Sequence, residues 1–193
     1  MTQAPVKLSF AEYLTYDDGT DTHYELVDGA LVEMPPGAHL HRIICRLLED
    51  LFRQEIAGAE LSWQTARSGE VGVRTKWKSR STVRLPDVVV FDPAEITDVK
   101  DVAILKAPPF VIVEVVSPGQ QNRKRDYEQK SREYQSLGVS EYWIVDSQET
   151  VQRLTVLLLI DSVYEETEFV GSDRICSATF PNLNLTVEQV FAA

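Results

Sequence analysis

The stretch PFVIVEVVSPG, residues 109–119, constrains the fold of this chain more than any other. It is nearly all β-branched and apolar, the composition of a central strand covered on both faces. Such a strand requires packed layers on both of its sides. Its one charged residue, Glu114, sits mid-strand, where a buried carboxylate is costly unless it is paired, hydrogen-bonded or bound to a cation. Glu114 therefore needs a compensating partner.

The rest of the chain supplies the layers. YELVDGALVEM (24–34) places two short apolar stretches around Asp28-Gly29, a tight β-hairpin signal, and Pro35-Pro36-Gly37 ends it. From His39 to Ile56 the residues Ile43, Ile44, Leu47, Leu48, Leu51 and Phe52 recur at three- and four-residue steps, so an amphipathic helix is expected that stops near Gly58. EVGVRTKW (70–77) alternates as a half-exposed strand with a cationic face, and RLPDVVVFDP (84–93) is a β-branched run between prolines. A second helix is expected over 122–137, with Tyr127, Tyr134 and Leu137 on one face and Gly138 as its stop. EYWIVD (141–146) reads as a buried strand, 151–170 as a hairpin turning at Asp161-Ser162, and 175–185 as a last strand or turn. With no repeat, low-complexity tract or flexible linker, residues 1–193 read as a single domain of the α/β (or α+β) class, a sheet with helices packed on it.

Two further residues stand where local rules would not put them. Asp87 follows Pro86 at the head of Val88-Val89-Val90. Lys130 lies three positions after Tyr127 and four before Tyr134, and so points toward the sheet rather than water. If neighbouring strands bring Asp87 and Glu114 together, their repulsion calls for a divalent cation, and hard oxygen donors favour magnesium or manganese over zinc. A nearby ammonium would then orient a metal-bound water or steady a phosphate transition state. Each residue also has a plain reading: Asp87 a strand-end turn carboxylate, Glu114 a salt-bridged acid, Lys130 a solvated partner of Asp126. His39 and His41, at the helix start, are left outside the set as surface or half-buried histidines.

Charge at first points away from nucleic acid. With 19 Lys and Arg against 30 Asp and Glu the chain carries −11, which argues against a polybasic binder. By position the picture narrows. Residues 67–84 hold Arg67, Arg74, Lys76, Lys78, Arg80 and Arg84 against Glu70, and 123–132 hold five cations against Asp126 and Glu128. Residues 134–193 instead hold nine acids against Arg153 and Arg174. The basic segments flank the proposed acids and would suit a phosphate-tracking groove, or else are solvated loops. The apolar runs are far shorter than the roughly 20 residues of a spanning helix, and the N-terminus lacks the pattern of a secretory signal. A cytoplasmic protein without membrane contact is expected. Cys45 and Cys176, 131 positions apart, suggest neither a zinc site nor a disulfide and read as buried thiols.

PD at 86–87 and EVV at 114–116 resemble the PD-(D/E)XK nuclease superfamily, whose last motif position is usually lysine; here it is Val116. A fuller resemblance is to the Uma-type restriction endonuclease family, carried by YELVDGALVEMPP (24–36) with a following His, RLPDVVV (84–90), PFVIVEVVSP (109–118), DYEQK and GVSEYWIVD within 126–146, and PNLNLTVEQVF (181–191). The ordered set spans nearly the whole chain. The resemblance implies a restriction endonuclease-like core: a central mixed β-sheet flanked by helices, with N-terminal and C-terminal β-hairpins. It implies Asp87 and Glu114 as metal ligands, joined by the backbone carbonyl of Val115, with Lys130 taking over from the missing motif lysine and Glu25 as an acid able to join the site. Magnesium (or manganese) is the implied cofactor, DNA the substrate and a homodimer the expected assembly. The alternative is a catalytically inactive binding or assembly module on the same fold.

Overall fold

The computed structural model describes residues 7–77, 80–99, 102–147 and 152–192. In chain order the elements are α1 (Phe10–Tyr13), β1 (Tyr24–Val27), β2 (Ala30–Glu33), α2 (His39–Gly58), β3 (Gln64–Arg67), β4 (Val71–Trp77), β5 (Arg80–Arg84) and β6 (Val88–Phe91). A 3-10 turn at Pro93–Glu95 leads to β7 (Ile96–Val99), β8 (Val102–Leu105) and β9 (Val111–Val115). Then come α3 (Gln120–Lys124), a π-helical turn at Arg125–Lys130, α4 (Ser131–Leu137), β10 (Glu141–Asp146), β11 (Arg153–Ile160), β12 (Val163–Val170) and α5 (Val187–Phe191).

The strands form two six-stranded mixed sheets, ordered β2-β1-β5-β4-β8-β7 and β12-β11-β10-β9-β6-β3. The second is the expected central mixed sheet flanked by helices, and both expected hairpins are present. At the first hairpin Asp28 and Gly29 have φ of 49° and 84°, and at the last Asp161 and Ser162 have 48° and 67°. Positive φ at both central residues is the turn whose twist matches paired strands. The sheet containing both β4 and the N-terminal hairpin is an addition to the expected architecture. Residues 175–185 contain no strand; an isolated bridge from Arg174 to Thr186 closes their base, and Ile175, Phe180, Leu183 and Leu185 pack into the core with α2.

β9 runs parallel to β10 and antiparallel to β6, so it lies inside its sheet. All five of its residues are buried. Alternate residues serve two cores, as the pleat requires. Val111, Val113 and Val115 join Val88 and Val90 beneath Ile44, Leu48, Phe52 and Ile56 of α2. Ile112 and Val116 join Val89, Ile144, Tyr134 and Tyr142 on the opposite face, where Val71 and Val73 of the first sheet also pack. The crossover from β9 to β10 carries the second helix over this face. The motif position Val116 is part of that core, 2% exposed. Cys45 is buried as expected but Cys176 is exposed, because it alternates with the inward Ile175 and Ser177. Lys78 of the first basic segment lies outside the described residues.

Candidate active site

Strand register brings the two acids together. β6 pairs with β9 through Val88–Val113, Val89–Ile112 and Val90–Val111, so the same register continued by one residue sets Asp87 against Glu114. Asp87 Oδ2 accepts a hydrogen bond from the Val115 amide at 2.7 Å. The proline before Asp87 has no N–H to pair, which suits the point where the strand begins. Glu114 points to the helix-covered face, where Tyr134 donates to Oε1 at 2.9 Å and Lys130 Nζ lies 2.8 Å from Oε2.

Lys130 arrives from the crossover, at the end of the π-helical turn. Such turns insert a residue into a helix and re-aim its side chains. Both Asp126 and Lys130 are 1% exposed, and Lys130 Nζ stands 3.8 Å from Asp126 Oδ1. Arg125 donates to Asp126 from Nε at 2.9 Å. The pairing of Lys130 with Asp126 thus exists, but inside the protein rather than on a solvated helix face.

Glu25 joins from the first hairpin. Its Oε1 accepts from the Leu85 amide at 3.2 Å and lies 3.5 Å from Lys130 Nζ, while Oε2 accepts from Arg84 Nη1 at 2.9 Å. Arg84, 1% exposed, also grips Glu133 with two bonds, Nε to Oε2 at 2.8 Å and Nη2 to Oε1 at 2.6 Å. Thr75 donates to Glu133 Oε2 at 2.8 Å. This clamp ties the first sheet to α4 directly behind Lys130. Every fork of it is charge-assisted.

The structure therefore groups Asp87, Glu114, Lys130 and Glu25 around one point, with Val115 supplying its amide to Asp87. Sequence reasoning left out His41, whose Nε2 lies 3.1 Å from Asp87 Oδ2. It also missed Arg84, Glu133 and Asp126. The available signal for His41 was its spacing: it precedes Cys45 by four positions, on the helix face that carries Leu48 and Phe52 inward. Burial removes Arg84 and Lys130 from the basic segments that would suit a phosphate-tracking groove.

Electrostatics mark the cluster as short of positive charge. Burial pushes the Glu114 carboxyl up to about 8; Lys130 opposes this, while Asp87, Asp126 and Glu25 reinforce it. For Glu25 burial acts upward too, yet Lys130, Arg84 and the Leu85 amide hold it below the ordinary carboxylate value. Burial disfavours the Lys130 ammonium, but Glu114, Glu25 and Asp126 raise its pKa above that of a free lysine. His41 loses hydration, but its bond to Asp87 and the charges of Asp87, Glu114 and Asp126 raise its pKa. Two carboxylates on adjacent strands, mutually repelling, suit a hard divalent cation.

Two mixed sheets flanked by helices, with acids at a strand junction and a lysine behind them, define a nuclease-type α/β fold. A solved structure shares it: "a putative nuclease belonging to DUF820 from Anabaena variabilis ATCC 29413", with a TM-score of 0.71 at 15% identity, covering 96% of this chain and 98% of the other. The Uma2 family, described as "Putative restriction endonuclease", matches residues 10–188, and the chain belongs to it. No curated protein matches the chain. Among the described residues no helix is long and apolar enough to cross a membrane.

Proposed function

We propose that this protein is a divalent-metal-dependent DNA endonuclease. The observation that carries the reading is the buried Lys130 ammonium, 2.8 Å from Glu114, with Asp87 set opposite Glu114 by the register of β6 and β9. Asp87, Glu114 and the Val115 carbonyl would hold magnesium or manganese. When bound, that ion supplies a lowered pKa for attacking water and neutralises charge on the scissile phosphate. The Val115 amide and His41 fix the Asp87 carboxylate, and Tyr134 and Lys130 fix Glu114. Lys130 keeps its proton and holds a positive charge where a phosphorane would develop negative charge. Glu25, bonded to Arg84 and the Leu85 amide and 3.5 Å from Lys130, orients the Lys130 ammonium.

Lys130 also answers the substitution at Val116. A side chain from the crossover helix supplies the amine that the strand lacks. As part of the same reading, the described elements act as one domain in the cytoplasm. In this reading chains pair as homodimers. Light scattering that returns a monomer mass would remove the dimer.

Conversion of supercoiled plasmid to nicked and linear forms in magnesium tests the activity. Wild-type protein is expected to cut, with loss of cutting in chelator and in Glu114→Gln. Equal cutting by wild type and Glu114→Gln would overturn the assignment. Calorimetric titration with manganese gives an independent reading, since Asp87→Asn should abolish binding even where cutting is too slow to see.

A further inference from the structure

We propose that His41, Cys45 and Asp87 form a second metal site, selective for a zinc-class cation and sharing Asp87 with the magnesium site. One donor atom from each residue lies within 4.8 Å of the other two. His41 Nδ1 is 3.6 Å from Cys45 Sγ, and His41 Nε2 is 3.1 Å from Asp87 Oδ2. Metal–donor bonds of roughly 2.0–2.3 Å in a tetrahedral shell put neighbouring donors about 3.3–3.6 Å apart. The two spacings run to opposite ring nitrogens and an ion uses one of them, so each gives one edge of such a shell, and binding draws the third donor inward from within 4.8 Å. The ion takes one imidazole nitrogen, the Cys45 thiolate and one Asp87 oxygen, and leaves its fourth position to water.

Three features support a built site. The i, i+4 spacing of His41 and Cys45 stacks them on one face of α2, as helical metal pairs require. The closed end is Cys45, 1% exposed, and the open end is Asp87 and His41, with side chains 13% and 16% exposed. Gly37 leaves the space that the imidazole fills: a Cβ there would stand 2.6 Å from His41 Nδ1. The free thiol is protonated, its pKa pushed up by burial and by Asp87 and Glu114. A bound dication inverts that preference, and the thiol proton leaves to solvent as the S–metal bond forms. Sulfur in the donor set excludes magnesium and selects zinc or cobalt.

The consequence for cleavage rests on the reading above. A zinc ion on Asp87 takes an oxygen from the magnesium site, so zinc inhibits a magnesium-dependent reaction.

Titration of the full chain with cobalt, monitored by the thiolate-to-cobalt charge-transfer absorption, tests the site. Wild-type protein and Cys176→Ser should give the band at one cobalt per chain, as should Glu114→Gln. Cys45→Ser should lose it, and His41→Gln should weaken binding at least tenfold. Stoichiometric zinc should displace the cobalt, and a large excess of magnesium should not. A band absent from wild type, retained in Cys45→Ser or lost in Cys176→Ser overturns the proposal. If Cys45→Ser fails to fold, alkylation of wild type decides: zinc must protect Cys45 and not Cys176, and equal labelling with and without zinc overturns the site. An absence of plasmid cutting under every condition counts against the nuclease alone, because the cobalt band needs no activity.

Discussion

Glu114 and Glu25 share Lys130 yet respond to pH in opposite directions. Glu114 has a carboxyl raised from 4.5 to about 8 in the folded state, so its contribution to stability is complete below about pH 4.5 and is lost as pH rises through 8. Glu25 has a lowered carboxyl, so its contribution is present at neutral pH and lost as pH falls through its folded value. Urea midpoints of metal-free protein between pH 4.5 and 9 should therefore decline with pH, and Glu114→Gln should flatten that decline. A decline unchanged in Glu114→Gln would show that other groups set it. Removing the shared cation is costlier. Lys130→Met takes the shared ammonium from Glu114, Glu25 and Asp126, the last two keeping Arg84 and Arg125, and should cost about 3–5 kcal/mol at pH 7, read from the same denaturation curves. At this scale Asp87, Glu114 and Lys130 were legible because each broke a local rule. Arg84 and Glu133 were not, since a charged residue in sequence reads as solvated until its partner, 49 positions away, is known.

At the scale of elements, α2 is the most exposed to mutation. Phe52 stacks on Phe180 with ring centroids 5.2 Å apart and meets Trp143 edge-on at 5.3 Å. Phe52→Ala should cost about 3–5 kcal/mol, checked by calorimetric unfolding, with the site geometry above it loosened as well. At the far end of the chain Thr186 caps α5 in a reciprocal box with Gln189. Thr186→Ala should cost only about 1 kcal/mol. Periodicity carried α2, β9, β10 and both hairpins into view before any coordinates, because each has a long or sharply bounded pattern. β5, β7 and β8 escaped because four or five mixed residues hold too little pattern to separate strand from loop. The division of the 122–137 helix by a π turn escaped for a different reason: its apolar spacing is the same on either side.

For the molecule as a whole, a net charge of −11 bears on the DNA binding proposed above. Arg74, Lys76 and Arg80 are exposed on the first sheet and available to phosphate, whereas Arg84 and Lys130 are committed inside. Fluorescence anisotropy on labelled duplex should show weak binding without divalent cation. Replacing Arg74 and Lys76, which share one face of β4, by Ala should reduce the salt slope by about 2, roughly one per lost phosphate contact, while Arg80, on the Thr82 and Arg84 face of β5, should matter less. An unchanged slope would mean that DNA approaches another face.

The clamp behind Lys130 also has a history in time. Bonds from Asp87 to the Val115 amide and from Tyr134 to Glu114 span 28 and 20 residues, while those from Arg84 to Glu133 and Glu25 span 49 and 59. Longer loops cost more entropy to close and tend to close later. A folding chain is thus expected to pair its acids first and to brace the lysine last, with the docking of the first sheet.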